Sequence, residues 1–538
     1  MYVTHAALRN DDILHEIFKH LKPPLIYSKL HCYPCEQDPD YQRTLCAAAR
    51  TCKAFSQPAL KFLWTHVFTL DALFCLLSSS IKIVSDVVIP DEDDLPREAP
   101  RHQETVWILE GPITDNERER FLWYTQYIRT MYLRTSRRVD PWVFFRLSHE
   151  NLGMPLAPQL NTIICEYDWP YMDMAVSLLS GPSLRVLDLT FGGPDSTIDD
   201  DWKLPLNRHN YAPRPLLKNI CASAPNLEKL SVGMCAHPSL LHPIGDMQQL
   251  RALDLSTIWT PIDMDLVRRL SCLVRLEELA FPHSFDTRDA APCEGFKNVK
   301  RLSLRGSIRT IPALLATLPD LRLEELRLMD AVIGEPAPVE ELVTSLPLGT
   351  RSSLSSVRIE NLTTLGSLAA PVPTLIAPFF TLPNIRSFFL FAEDPLNFTD
   401  KELHVICGVW TKLEALTLSC NISFRPVTVA PTMEGIIELA NLFPMLHRVT
   451  FSSVVLQPSL GIVDSHLVRE LPLDVQIPDR NLRDVHQVAC ILWHMFLGLH
   501  VPNLDKFSFK KWSAVLDEIT RLQDDWEKHH DSEARWST

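Results

Sequence analysis

Few side chains in this chain are of the types and spacings that do chemistry. His15-Glu16-Ile17-Phe18-Lys19-His20 has the composition of a helical zinc-protease site. Three residues separate Glu16 from the second histidine, however, so on a helix the two imidazoles diverge by more than about 100° and cannot share one ion. A solvated helix face is the expected reading. His31-Cys32-Tyr33-Pro34-Cys35 is closer to a metal knuckle, with Cys46 and Cys52 downstream. That second pair is spaced by five residues rather than two, which favours free thiols. The acidic runs Asp91-Glu92-Asp93-Asp94 and Asp199-Asp200-Asp201 lie among prolines or polar residues and read as solvated loops. No Gly-x-Ser-x-Gly, Walker or Gly-x-Gly-x-x-Gly motif occurs. The expected protein is not an enzyme, and no cofactor is expected.

The side chains with the most chemical interest lie instead on strands. A pattern Leu-x-x-Leu-x-Leu, with Ile, Val or Phe allowed, recurs along the chain. It starts at Leu184, Leu227, Leu250, Leu276, Val299, Leu323, Leu354, Ile385, Leu413, Leu446 and Leu504, with weaker copies at Ile128 and Leu160. Most starts are about 23 to 33 residues apart. The last two apolar positions alternate as in a strand. Pro-Asn or Pro-Met precedes several copies, as at Leu227, Ile385, Leu446 and Leu504, and stops the preceding helix. One strand and one helix per period is a leucine-rich repeat. The expected fold class is α/β, a repeat solenoid with a parallel sheet on its concave side and helices outside.

Residues that alternate with the apolar ones should line that sheet. In three consecutive copies they include Arg301, Arg305, Arg327 and Arg358, and in the next Phe389 and Phe391. Aromatic side chains beside arginines are the composition of a binding hot spot. The expected ligand is an acidic or phosphorylated segment with a hydrophobic anchor. The alternative is that each arginine pairs with Glu325 or Glu360 of its own sheet.

Before the repeats, Ile13, Leu14, Ile17, Phe18 and Leu21 fall on one predicted helical face, with Asn10 or Asp11 as cap. A second stripe holds Leu45, Ala48, Ala49, Cys52 and Phe55. Pro58 is expected to open a third helix with Leu60, Leu63 and Trp64. This order resembles the F-box family: Asp12-Ile13-Leu14, Ile17-Phe18 and Leu21, then Cys52-Lys53-Ala54-Phe55, then Leu63-Trp64. Leu8-Arg9 stands where that family has Leu-Pro, and residues 22 to 44 form a long gap between the first two helices. The stretch from Trp64 through Arg120-Phe121, Tyr124 and Ile128 looks like the linker of fungal F-box proteins that carry leucine-rich repeats. The resemblance implies an adaptor of a Skp–cullin–F-box ubiquitin ligase. Ile13, Leu14, Ile17, Phe18, Leu21, Cys52, Phe55, Leu63 and Trp64 would then bind the Skp subunit, and the repeats would hold a protein substrate. A repeat scaffold with no ubiquitin role remains open, as does a GTPase-activating repeat protein.

The expected domains are a helical module at 1–68, a linker at 69–104, the repeats at 105–510, and a capping helix and tail at 511–538. Among 538 residues, 66 acidic and 52 basic ones give a formal charge of −14, the wrong balance for binding nucleic acid through its phosphates. The 13 scattered cysteines suit a reducing compartment. The most apolar stretch, 488–501, is shorter than a membrane span, and the first residues lack the pattern of a secretory signal. A cytoplasmic or nuclear protein that does not bind membranes is expected.

Overall fold

In the computed structural model, residues 10–20, 39–86, 104–133, 138–167, 172–191, 213–233, 238–258, 261–282, 285–286, 292–305, 308–330, 332–333, 337–364, 372–420, 429–443, 445–451, 473–475 and single positions between 486 and 522 are described. Leu21, the His31–Cys35 cluster, the copy at Leu504 and most of the expected capping helix lie outside them. The chain divides into two compact units, 1–260 and 261–538.

The first unit opens with three helices, α1 (Asp11–His20), α2 (Pro39–Thr51) and α3 (Lys53–Thr65). Asn10 caps α1, its Oδ1 accepting the Asp12 N–H at 2.9 Å. The break between α2 and α3 falls at Cys52, whose backbone is extended, and Pro58 lies inside α3 rather than opening it. Leu14 and Phe18 pack with Tyr41, Leu45 and Ala59 into a small core. Burying each such side chain contributes roughly 1.5–3 kcal/mol, which holds the three short helices together.

Strands follow in the order β1 (His66–Val67), β2 (Ile81–Asp86), β3 (Glu104–Leu109), β4 (Thr130–Leu133), β5 (Arg138–Val139), β6 (Thr162–Tyr167), β7 (Val186–Phe191), β8 (Lys229–Gly233) and β9 (Ala252–Asp254). β1, β4, β6, β7, β8 and β9 form one parallel sheet. Met131, Ile163, Leu187, Leu230 and Leu253 stand in register and form a continuous buried row. The stretch read as a linker is folded in its described part. Leu70–Phe74 is helical, with Leu70, Leu73 and Phe74 buried, and β2 pairs antiparallel with β3. The sheet starts at His66, because α3 runs straight into β1.

The second unit repeats the plan. Its strands are β10 (Ile262–Asp263), β11 (Glu278–Phe281), β12 (Phe285–Asp286), β13 (Arg301–Arg305), β14 (Glu325–Met329), β15 (Val332–Ile333), β16 (Ser356–Thr364), β17 (Ser387–Ala392), β18 (Ala415–Cys420), β19 (Arg448–Phe451) and β20 (Leu473–Val475). β11, β13, β14, β16, β17, β18, β19 and β20 are consecutive parallel neighbours. Leu279, Leu302, Leu326, Val357, Phe388, Leu416 and Val449 form one buried row. Phe281, Leu304, Leu328, Ile359, Leu390, Leu418 and Phe451 form a second. Each unit is therefore a leucine-rich-repeat stack of the α/β class.

Two polar devices join successive repeats. The asparagine just before the first apolar position donates its side-chain N–H to a carbonyl of the previous turn: Asn226 to Pro182 at 3.1 Å, Asn298 to Val274 at 2.7 Å and Asn384 to Ser352 at 2.8 Å. The residue just after that apolar position alternates in charge from Arg185 through Glu228, Arg251, Glu277 and Lys300 to Glu324, and again from Arg386 to Glu414, with the neutral Ser355 between the two runs. Arg185 pairs with Glu228 at 3.5 Å, Lys300 with Glu324 at 3.4 Å and Arg386 with Glu414 at 2.9 Å. Opposite charges on neighbouring strands favour this register over a slipped one.

Candidate functional site

Two surfaces carry the residues singled out in the sequence. The first is the three-helix module. The structure splits the expected apolar face of α1 in two: Leu14 and Phe18 are buried in the module's own core, whereas Ile13 and Ile17 are 41% and 44% exposed. The 3.6-residue period turns the Ile13–Ile17 stripe about 100° away from the Leu14–Phe18 stripe. Leu14 and Phe18 are thus not available to a partner. Cys52 is exposed, Phe55 and Leu63 pack partly against the core, and Trp64 lies 4.6 Å from the Tyr124 ring, on the repeat side of α3. His15 rests on the Phe62 ring at 4.8 Å, and Glu16 pairs with Lys19 at 3.3 Å. Neither is turned toward the other.

The second surface is the half-exposed face of the sheet in the unit 261–538. Its central row reads Ala280, Ser303, Arg327, Arg358, Phe389, Thr417 and Thr450 in register. Arg305 belongs to the next row, level with Met329 and Glu360, and Phe391 is level with Ser419. The expected trio of arginines open to one outside anion is not what forms. Arg327 and Arg358 both bind Glu360, the latter through Nη2 at 2.9 Å and Nε at 3.2 Å. Arg305 pairs with Asp330, and Arg301 with Glu278. The Glu278 hydrogen bond, outweighing burial, raises the Arg301 pKa. The alternative pairing through Glu360 therefore holds for Arg327 and Arg358, while Arg305 and Arg301 find other carboxylates.

Glu360 is only 4% exposed although it lies on the open face, because the two arginine side chains close over it. A carboxylate so desolvated needs charged partners, and here it has two. The surrounding backbone is unusual. Asp330 and Asn361 have positive φ values of 51° and 54°, a conformation that Asp and Asn tolerate better than most residues. The Asn361 side chain donates to Asp330 Oδ1 at 2.8 Å, and the Asp330 N–H donates to the Glu360 carbonyl at 2.9 Å. Between Ile359 and Leu362 the register against β17 shifts, so Glu360 and Asn361 occupy the space of one facing residue. Arg358 is held from its other side by Phe389, its guanidinium carbon 4.3 Å from the ring centre.

Sequence reasoning found the arginines and phenylalanines but missed Asp330 and Asn361. Both follow the strands, where alternation no longer says which way a side chain turns. The Asx type at strand ends in neighbouring repeats was the available signal. Among the described residues no cluster of three or more metal-ligating side chains occurs, and no helix is long and apolar enough to cross a membrane.

No protein-family model matches the chain, and no curated protein matches it. Solved structures that resemble it include an internalin from Listeria monocytogenes, with 12% identity, 70% of this chain and 87% of that chain covered, and a TM-score of 0.34. Another is a leucine-rich-repeat protein of Leptospira interrogans, with 15% identity, 68% and 88% covered, and a TM-score of 0.25. The assignment of this chain to the leucine-rich-repeat architecture rests on its own strand register and buried rows.

Proposed function

We propose that this chain is a protein-interaction scaffold that holds a partner on the open sheet face of the unit 261–538. One observation carries the reading: Phe389, Phe391 and Met329 stand half-exposed beside a fixed arginine–carboxylate network, and the strands that follow present the small polar Thr417, Ser419 and Thr450 on that face. Half-exposed aromatics next to ordered arginines are what binding hot spots are made of. A photo-crosslinking residue at position 391 of the full chain tests it. A discrete crosslinked protein, absent when the probe is moved to exposed Val405 on a helix, supports the reading; the same adducts from both positions reject it.

A second, finer role is favoured by the exposure of Ile13 and Ile17. They form an apolar stripe outside the core that Leu14, Phe18, Tyr41, Leu45 and Ala59 make among the described residues. This suits the adaptor role implied by the F-box resemblance, with a Skp subunit seated on α1, a cullin-based ligase attached and the bound partner as substrate. Repeats and helices would then supply proximity rather than bond chemistry. Ile13→Asp with Ile17→Asp should abolish co-purification of a Skp subunit while leaving the helical content intact. Equal recovery with wild type and variant, or none with wild type, rejects the adaptor role and leaves the scaffold role standing.

A further inference from the structure

Resting on the sheet-face reading above, we infer that the segment recognised there is anchored by one uncharged aromatic side chain, seated between Met329 and Phe391 over the Arg327–Glu360–Arg358 triad. The arginines give that ring a floor and take no anion from the partner.

The charges of this face close among themselves. Arg301 pairs with Glu278 and stands opposite Glu325 on the next strand. Arg305 pairs with Asp330, and Arg327 and Arg358 share Glu360. Four arginines thus meet four carboxylates. An acidic or phosphorylated segment would add negative charge to a balanced surface and give up its own hydration for no surplus cation. Nor can Arg327 and Arg358 turn outward to meet it. Glu360 is 4% exposed and would be left buried without charged partners.

The register gives the face its shape. Met329 on β14 is level with Glu360 on β16, and Phe391 on β17 stands opposite Glu360 and Asn361 across the bulge. Met329 and Phe391 are half-exposed, whereas Glu360 between them is closed over by the two arginines. Side chains stand roughly perpendicular to a sheet whose strands lie about 4.8 Å apart. The two apolar side chains are therefore walls whose backbones are about 10 Å apart. The Arg327 and Arg358 side chains, 28% and 29% exposed, form the floor between them. That gap takes one flat side chain.

Each part of the site favours an aromatic ring. A guanidinium attracts the face of a ring, a thioether such as that of Met329 packs against ring edges, and Phe391 adds a ring–ring contact. None of these needs charge on the partner. Phe389 already shows the first of them. Arg358 lies 4.3 Å from its ring centre while keeping two hydrogen bonds to Glu360, at 2.9 and 3.2 Å. An aliphatic anchor would gain burial alone.

The test uses the full-length protein and a displayed library of short random peptides, followed by synthetic copies of the enriched sequences. Enriched peptides should share Phe, Tyr or Trp and no acidic position, and should lose most of their affinity for Phe391→Ser and Met329→Ala. Replacing the shared aromatic residue with Leu should weaken binding about tenfold on the wild type. Raising salt from about 0.05 M to about 0.5 M should change affinity less than about twofold. If either variant loses its circular-dichroism spectrum, the wild-type comparison of aromatic with leucine peptides decides alone. Peptides that depend on Phe389 or Phe391 but need an acidic or phosphorylated residue, or bind equally well with Leu, overturn the aromatic-anchor inference and leave the sheet-face reading intact. No enrichment that depends on Phe389 or Phe391 overturns both.

Discussion

The two units build the same sheet and present different faces. In the first, the half-exposed positions are Thr162, Ile164, Val186, Asp188, Ser231 and Ala252, with Lys229 and Asp254 more open. In the second, the equivalent rows hold Arg305, Arg327, Arg358, Phe389 and Phe391. The buried rows are nearly interchangeable between the units: Leu187 in one does the work of Leu326 or Phe388 in the other. Alternation along a strand separates the two tasks. Inward residues fix the stack, and outward ones vary without disturbing it. The exception is Glu360, an outward residue that has become part of the stack.

The strongest way to break this comparison is to attack the buried rows. Phe388→Ala removes a fully buried ring that contacts Phe379 and Trp410 at centroid distances of 6.1 and 4.8 Å. It should cost about 3–5 kcal/mol, and Leu187→Ala about 2–5 kcal/mol. Urea melts should show both units losing stability to a similar degree; a silent Phe388→Ala would mean that the second core is loosely packed. Next comes the exception. Glu360→Ala leaves two guanidinium groups facing each other and should cost about 2 kcal/mol, reduced from a fully buried pair because both arginines are partly exposed. Ser231→Ala, outward in the first unit, should stay within about 0.5 kcal/mol. Equal effects from these two would remove the distinction drawn for Glu360.

A smaller effect belongs to the first unit, whose most tightly held carboxylate lies off the sheet. Glu117 closes the capping box with Thr114 on the helix Asp115–Thr125. It accepts the Ser79 N–H at 2.9 Å and the Ser80 hydroxyl at 2.8 Å. Burial pushes its pKa up, but these hydrogen bonds and that of the Thr114 N–H outweigh it and hold the carboxyl at about 2, against an ordinary 4.5. The folded value is depressed, so the stabilisation is complete above about pH 4.5 and is lost as the pH falls toward 2. Glu117→Gln should cost about 1 kcal/mol at pH 7 and flatten the acid limb of the stability profile between those limits. An unchanged acid limb would locate that dependence elsewhere. The smallest change is expected from exchanging Lys300 and Glu324, which keeps their exposed pair with its sign reversed. Thermal melts should move by less than about 0.5 kcal/mol in equivalent stability. A larger loss would show that charge alternation between repeats holds the register more strongly than exposed pairs usually do.

The sequence by itself determined the repeat. Leu-x-x-Leu-x-Leu names both the strand and its inward side, and ten or more copies leave one way to bury them all, in register. It also determined that Arg327, Arg358, Phe389 and Phe391 would share the open face, since period-two alternation admits no other side. It could not determine which charges would meet. Arg327 reaches Glu360 across 33 positions of chain and Arg305 reaches Asp330 across 25, and every repeat offers several carboxylates at comparable spacing. Nor could an apolar stripe on α1 say which of its residues the module would bury. Leu14 and Phe18 go inward because Tyr41, Leu45 and Ala59 arrive from α2 and α3, leaving Ile13 and Ile17 outside. Local periodicity gives each residue a direction. What waits in that direction is supplied by other segments, and only the packed chain brings them there.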